Sequence, residues 1–185
     1  MTNTARDAIV EAAFRLFLER GYKETTLARI LESVPYSKGA VYHHFSNKEA
    51  LLDAVVDRFF TGQLSARPLP RPQDAVSLAH QLADDYANAI EDVAPFATPL
   101  AYYAFLISVS ERAQSSVRAA HENAIAALAE AFVTQGTLPA EASQIAGDII
   151  ALIEGTELLG ALREDNVDRK QLHAAVDRML ALVSS

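Results

Sequence analysis

The residues of this chain best suited to chemistry lie in one short run, Ser37-Lys38-Gly39-Ala40-Val41-Tyr42-His43-His44-Phe45, with Lys48 close behind. Val41 and Phe45 stand four apart, the spacing of neighbours on one side of a helix. They anchor such a helix inward and leave Lys38, Tyr42 and His43 on its opposite side. That outer side is rich in hydrogen-bond donors. Ser37, at the helix start, offers a hydroxyl and unsatisfied backbone amides to a phosphate. Gly39 lets the backbone come close to a groove, while Tyr42 and His43 reach further phosphate or base-edge acceptors. Lys48 adds a cation at the start of the next helix. Any one of these residues alone reads as ordinary surface; together they suit a helix that meets nucleic acid.

Other elements must hold that helix in place. Helical periodicity runs from end to end of the chain, with no stretch of β-branched or aromatic residues alternating at period two, so an all-α fold is expected. A first helix starts at Thr4 with Asp7 in capping-box position, buries Ile9, Ala12, Ala13, Leu16 and Phe17, and ends at Gly21. A second starts at Thr26 and buries Leu27, Ile30 and Leu31; it stops because Pro35 disfavours helical geometry at Val34. The third covers 37–44. In the fourth, Ser46 and Glu49 are expected to satisfy each other's amides, and Leu51, Leu52, Val55, Val56 and Phe59 follow as its apolar positions. The alternating prolines of Arg67-Pro68-Leu69-Pro70-Arg71-Pro72 make a connecting loop. Longer helices are expected at 73–93, 98–112, 114–135, 139–163 and 168–183, giving about nine in all.

Composition narrows the function. The 185 residues are half hydrophobic, carry a net charge of −8 and include no cysteine, which removes disulfides, thiolate metal sites and cysteine nucleophiles. His43 and His44 are adjacent, and His80, His121 and His173 are scattered singly, so no metal site is expected. There is no His-Glu-x-x-His, Gly-x-Ser-x-Gly, P-loop or Gly-x-Gly-x-x-Gly; no catalytic residue or cofactor is expected, and an enzyme is not the reading. No apolar run of roughly 18 residues is present, and the opening 1–7 lacks the basic start and apolar stretch of a secretion signal, so the expectation is a cytoplasmic protein away from membranes. The charge is unevenly spread. Residues 1–60 hold 8 Lys/Arg against 8 Asp/Glu, whereas 61–185 hold 8 against 16, so the remainder carries the whole excess. A neutral N-terminal part still binds phosphate when its cations share one face, because counterion release depends on local charge.

Thr25-Thr26-Leu27, then Ser37 through Phe45, then Ser46-Asn47-Lys48-Glu49-Ala50-Leu51 resemble, in order and spacing, the DNA-binding signature of the TetR family of transcriptional regulators. The likeness is close over about 9–59; beyond it, only helix number, order and length resemble the family. The resemblance implies a helix-turn-helix DNA-binding domain at 1–46 and a helical ligand-binding and dimerisation domain at 47–185. It also implies that Thr26 caps the second helix against a phosphate, that Ser37, Lys38, Gly39, Tyr42 and His43 face the major groove, and that Lys48 contacts the DNA backbone. Lys38, Ala40 and His43 are the candidates for base readout, Ala40 through a thymine methyl. Val34-Pro35-Tyr36 departs from the family, which usually has a small residue, glycine and a β-branched residue there. Proline is held near φ of about −65° and cannot mimic glycine, so the turn must be built differently. Leu31 stands where the family tends to use alanine. These departures motivate a rival reading, a helical ligand- or partner-binding protein of the same architecture without specific DNA binding.

Two further sets stay open on the residues alone. Ile145, Ile149, Leu152, Ile153, Leu159 and Leu162, then Leu172, Val176, Met179, Leu180 and Val183, form stripes with Gly147, Gly155 and Gly160 among them. They are either internal core or, as the resemblance implies, the homodimer contact of the last two helices, which would set two recognition helices about 34–36 Å apart. Tyr86, Phe96, Tyr102, Tyr103, Phe105, Leu106 and His121 are either plain core or, by the same resemblance, the lining of an inducer cavity. The function so implied is a ligand-responsive repressor, with operator DNA and a small-molecule inducer as partners. A helix over 47–62, roughly 22 Å long, would transmit the signal.

Overall fold

The computed structural model describes residues 4–61, 74–163 and 168–183, and every regular element among them is helical. In order these are α1 (Ala5–Arg20), α2 (Leu27–Glu32), α3 (Lys38–His44), α4 (Lys48–Val56) running on into one π-helical turn (Asp57–Thr61), α5 (Ala75–Glu91), α6 (Pro99–Ser108), α7 (Ser110–Thr134), α8 (Pro139–Leu162) and α9 (Arg169–Val183). The proline-rich stretch 67–72 and the break expected at 164–166 lie outside the described residues.

Local chemistry explains most boundaries. The Thr4 hydroxyl accepts from the Asp7 amide at 3.2 Å, and the Asp7 carboxylate accepts from the Thr4 amide at 3.3 Å, closing the capping box on α1. The hydrogen bond from the Thr4 hydroxyl, aided by the charge of Arg58, holds the Asp7 carboxyl below its ordinary value. Gly21 ends α1 at φ 84°, where a side chain would be strained, and Gly136 follows α7 at φ 101° for the same reason. Two expectations need correction. The cap of α4 is Asn47, whose side chain accepts from the Ala50 amide at 2.7 Å, not a Ser46–Glu49 pair. With the helix starting one residue later, the position that would reciprocate is an alanine. The break between α6 and α7 falls at Val109, not near 113. There the Ser108 hydroxyl donates to the Phe105 carbonyl at 2.8 Å, in competition with the backbone ladder.

The chain divides into two units, Met1–Ala66 with Ala101–Val117, and Arg67–Leu100 with Arg118–Ser185. In the first, α1 buries Ile9, Val10, Ala13, Phe14, Phe17 and Leu18 against Leu51, Leu52 and Val55 of α4 and the anchors of α2 and α3. An aromatic cluster finishes this core: Phe14 stacks on Phe59 at 4.1 Å, and Phe105 of α6 packs on Phe14 at 5.9 Å and Phe17 at 6.0 Å. Buried Thr25 is satisfied by its one hydroxyl proton, shared between the carbonyls of Gly21 at 2.9 Å and Leu16 at 3.1 Å. Arg58, just past α4, ties back to α1 by donating to the Asp7 carbonyl at 3.1 Å and pairing with its carboxylate at 3.2 Å.

In the second unit, α5, α7, α8 and α9 share a core of Leu78, Leu82, Leu128, Phe132 and Ile149 with alanines between them. Here the open question about the stripes is settled in part. Ile145, Ile149 and Ile153 of α8 and Leu172, Val176 and Leu180 of α9 are buried inside the chain, whereas Leu159 and Leu162 are more than half exposed. The exposed face of α8 is completed by Leu158 and by Gly155 and Gly160, where an added Cβ would meet nothing within 4 Å.

Candidate nucleic-acid interface

α2 and α3 are short and are fixed chiefly by their caps and by a few inward anchors. The Thr26 hydroxyl accepts from the Arg29 amide at 3.3 Å, and the Ser37 hydroxyl accepts from the Ala40 amide at 3.2 Å. A hydroxyl that accepts still has its own proton to give, so both exposed caps keep a donor for an outside acceptor. Between the helices, Ser33 closes α2 by donating its amide and hydroxyl to the Ile30 carbonyl at 3.1 and 2.8 Å. Val34 is buried while Pro35 is exposed, so the turn is held by an apolar anchor and needs no glycine.

Val41 and Phe45 are turned inward, at 0% and 3% exposure, and Ile30 of α2 is fully buried. The opposite side of α3 carries Lys38, Gly39, Tyr42 and His43, all exposed, with Ala40 half-buried at its edge. The Lys38 ammonium sits 5.7 Å from the centre of the Tyr42 ring, so cation and phenol present as one patch. A Cβ placed on Gly39 would meet only the Ser37 hydroxyl, at 3.9 Å. The glycine is therefore not required by packing within the chain; what it leaves clear is the approach from outside.

Lys48, at the start of α4, is half-buried and engaged within the chain. Its ammonium donates to the Tyr22 carbonyl at 2.9 Å and lies 4.3 Å from the Tyr22 ring, with the Lys23 carbonyl at 3.4 Å. It fastens the α1–α2 loop to α4. Arg6, which the motif does not include, lies 5.4 Å from the Phe45 ring at the inner end of α3. Nothing in the sequence flags that pairing, because the two residues belong to elements far apart in the chain.

The aromatic set of the central helices is divided between the units. Tyr102, Tyr103, Phe105 and Leu106 belong to the first, with Tyr102 and Tyr103 in edge-to-face contact at 5.6 Å and Phe105 in the aromatic core beside α1. Tyr86, Phe96 and His121 belong to the second. There the Tyr86 hydroxyl donates to Glu154 at 2.9 Å, and the His121 imidazole hydrogen-bonds the same carboxylate oxygen. Burial pushes the Glu154 carboxyl up, but the hydrogen bond and charge of His121, with the Tyr86 hydroxyl, outweigh it and hold the group below its ordinary value. Sequence reasoning missed Glu154; its only signal was an acid four residues from the apolar core position Ile150 on the same helix. Among the described residues no group of three histidine or acidic side chains could hold a metal ion, and no helix is long and apolar enough to cross a membrane.

Residues 9–55, essentially α1 to α4, match the family model described as bacterial regulatory proteins, tetR family. The chain is similar to the HTH-type transcriptional regulator TtgR of Pseudomonas putida, at 28% identity over 88% of this chain and 83% of that protein. Its N-terminal part is similar to the HTH-type transcriptional repressor AcnR of Corynebacterium diphtheriae, at 48% identity over 27% of this chain and 26% of the relative. Its fold is similar to that of a transcriptional regulator (TerR/AcrR family) from Aquifex aeolicus. The TM-score is 0.73 at 19% identity, covering 97% of this chain and 99% of the other.

Proposed function

The chain belongs to the TetR family of helix-turn-helix transcriptional regulators, and on that premise we propose that it is a dimeric repressor released from a near-palindromic operator by a small-molecule inducer. The observation that carries the reading is the outer side of α3, where Lys38, Gly39, Tyr42 and His43 lie exposed while Val41 and Phe45 are buried beneath them. Thr26, Ser37 and Tyr42 give hydroxyl donors to phosphates and set the register. Lys38, Ala40 and His43 read base edges. Lys48, already holding two backbone carbonyls, gives its remaining donor to the DNA backbone and fixes the loop that enters α2. DNA binding is assigned to 1–46, and ligand binding with dimerisation to 47–185, with the protein at work in the cytoplasm.

The exposed Leu158, Leu159 and Leu162 of α8, beside the open positions at Gly155 and Gly160, supply an apolar face on which a second copy docks through α8 and α9. Inducer binding involves Tyr86 and His121 with Glu154. The switch runs through α4 and α6: Phe105 shares the core of α1, so a displacement of α6 repacks against Phe14 and Phe17. The inducer must favour the released form by roughly 1–3 kcal/mol for the change to matter. The test is selection of DNA fragments by the purified protein, followed by a salt titration of the selected site. A sequence-preferring complex that weakens steeply with salt supports the repressor. Binding without sequence preference at low salt would instead favour a protein of this architecture without specific DNA binding.

A further inference from the structure

The second unit contains a cavity of about 240 Å³ where the end of α8 meets the start of α9, with Thr156, Glu157, Asp168 and Gln171 as polar walls and Pro99 and Leu172 as apolar ones. We propose that this cavity binds a small organic cation, an ammonium carried on a compact apolar group, with Glu157 as its counter-ion. It is separate from the cluster of Tyr86, His121 and Glu154, and it shares Leu159 and Gly160 with the exposed face of α8.

Two features give the cavity its sign. Glu157 is only 4% exposed, and in so dry a wall a carboxylate makes stronger charge-assisted hydrogen bonds than it would in water. Asp168 brings a second carboxylate, oriented by accepting from the amides of Lys170 at 3.0 Å and Gln171 at 3.2 Å. Arg163 is the one cation among the lining residues; its side chain is exposed and its amide closes α8 onto the Leu159 and Gly160 carbonyls. An anion would meet two carboxylates, and a neutral molecule gains no charge pairing from them. The volume falls just under the roughly 300–1,000 Å³ of sites for drug-sized ligands, which suits an amine of about ten heavy atoms or fewer.

Titrating the full chain by calorimetry with benzylamine, benzyl alcohol and benzoate separates charge from shape, because the three share one ring. Benzylamine is expected to bind at least about tenfold tighter than benzyl alcohol, with benzoate showing no binding. Glu157→Gln should erase that preference, while Glu154→Gln should leave it intact. Equal affinities for the three probes, no binding of benzylamine, or a preference that survives Glu157→Gln overturns the proposal. Should Glu157→Gln fail to fold, Gln171→Trp decides: it keeps the carboxylate but adds bulk at an exposed lining position. Loss of benzylamine binding with an unchanged melting temperature supports the site; full retention overturns it. Operator binding measured on the same variants fails or survives independently of either result.

Discussion

The outer side of α3 and the seam between α5 and α9 are built from similar residue types and use them in opposite ways. In the seam, Arg169 donates to Glu91 at 2.6 and 2.9 Å, to Asn88 at 2.7 Å and to Asp84 at 3.2 Å. The imidazole of His173 meets Asp84 at 3.0 Å and that of His80 meets Asp177 at 2.7 Å, with the two rings stacked at 4.6 Å. On α3, among the described residues, Lys38 and His43 have no carboxylate partner. A cation is available to a foreign anion only where the chain has not matched it with its own. The balance of charges along the sequence therefore says less about DNA binding than the placement of acids does.

Substitutions can break this contrast, and the largest effect should come from the anchor under the α3 face. Phe45→Ala removes a side chain that is 3% exposed and should cost about 3–5 kcal/mol of stability, read as a lower urea midpoint. An unchanged midpoint would mean that α3 is not held from beneath as described. Next, Lys38→Ala combined with Tyr42→Phe should weaken operator binding by roughly 1–3 kcal/mol while leaving the midpoint where it was. Full operator affinity in that variant removes the outer side of α3 from the interface. Arg169→Ala should give the reverse pattern, a stability loss of about 0.5–1 kcal/mol with operator affinity unchanged, since a partly exposed network contributes modestly.

The smallest effect concerns acid. The Glu154 carboxyl lies below its ordinary value of 4.5 in the folded chain, so it contributes stability that is fully present above that value. The contribution fades as pH falls from there through the lowered value. Glu91, held down chiefly by its hydrogen bond from Arg169, acts in the same sense. Urea midpoints taken from about pH 7 down to about pH 3 should fall less steeply in Glu154→Gln than in the parent. Identical slopes would show that the contact with His121 and Tyr86 does not favour the ionised form.

What was legible in the sequence was what neighbouring residues decide. Thr4 with Asp7, Gly21 and Pro139 fix helix ends through partners a few residues away, and the spacing of Val41 and Phe45 alone assigns the inner side of α3. Near misses arose where two local solutions compete, as between Ser46 and Asn47 for the cap of α4, or where a hydroxyl such as that of Ser108 interrupts a helix that periodicity would carry on. Long-range pairings left no local trace. Glu154 meets Tyr86 across 68 positions and Lys48 meets Tyr22 across 26, so neither the carboxylate in the second unit nor the fastening of the α1–α2 loop could be read from spacing.

The π-helical turn at Asp57–Thr61 sets a condition on how this region can change. A residue advances a regular helix by about 100°, so the count of residues within the turn fixes the directions in which Arg58 and Phe59 point. Phe59 stacks on Phe14, and Arg58 grips the start of α1, from within that turn. Side chains along the stretch can drift one at a time, but a one-residue deletion would swing both grips off α1 together. Length here is thus more constrained than identity, and relatives that share the fastening should differ at 57–61 by substitution far more readily than by insertion or deletion.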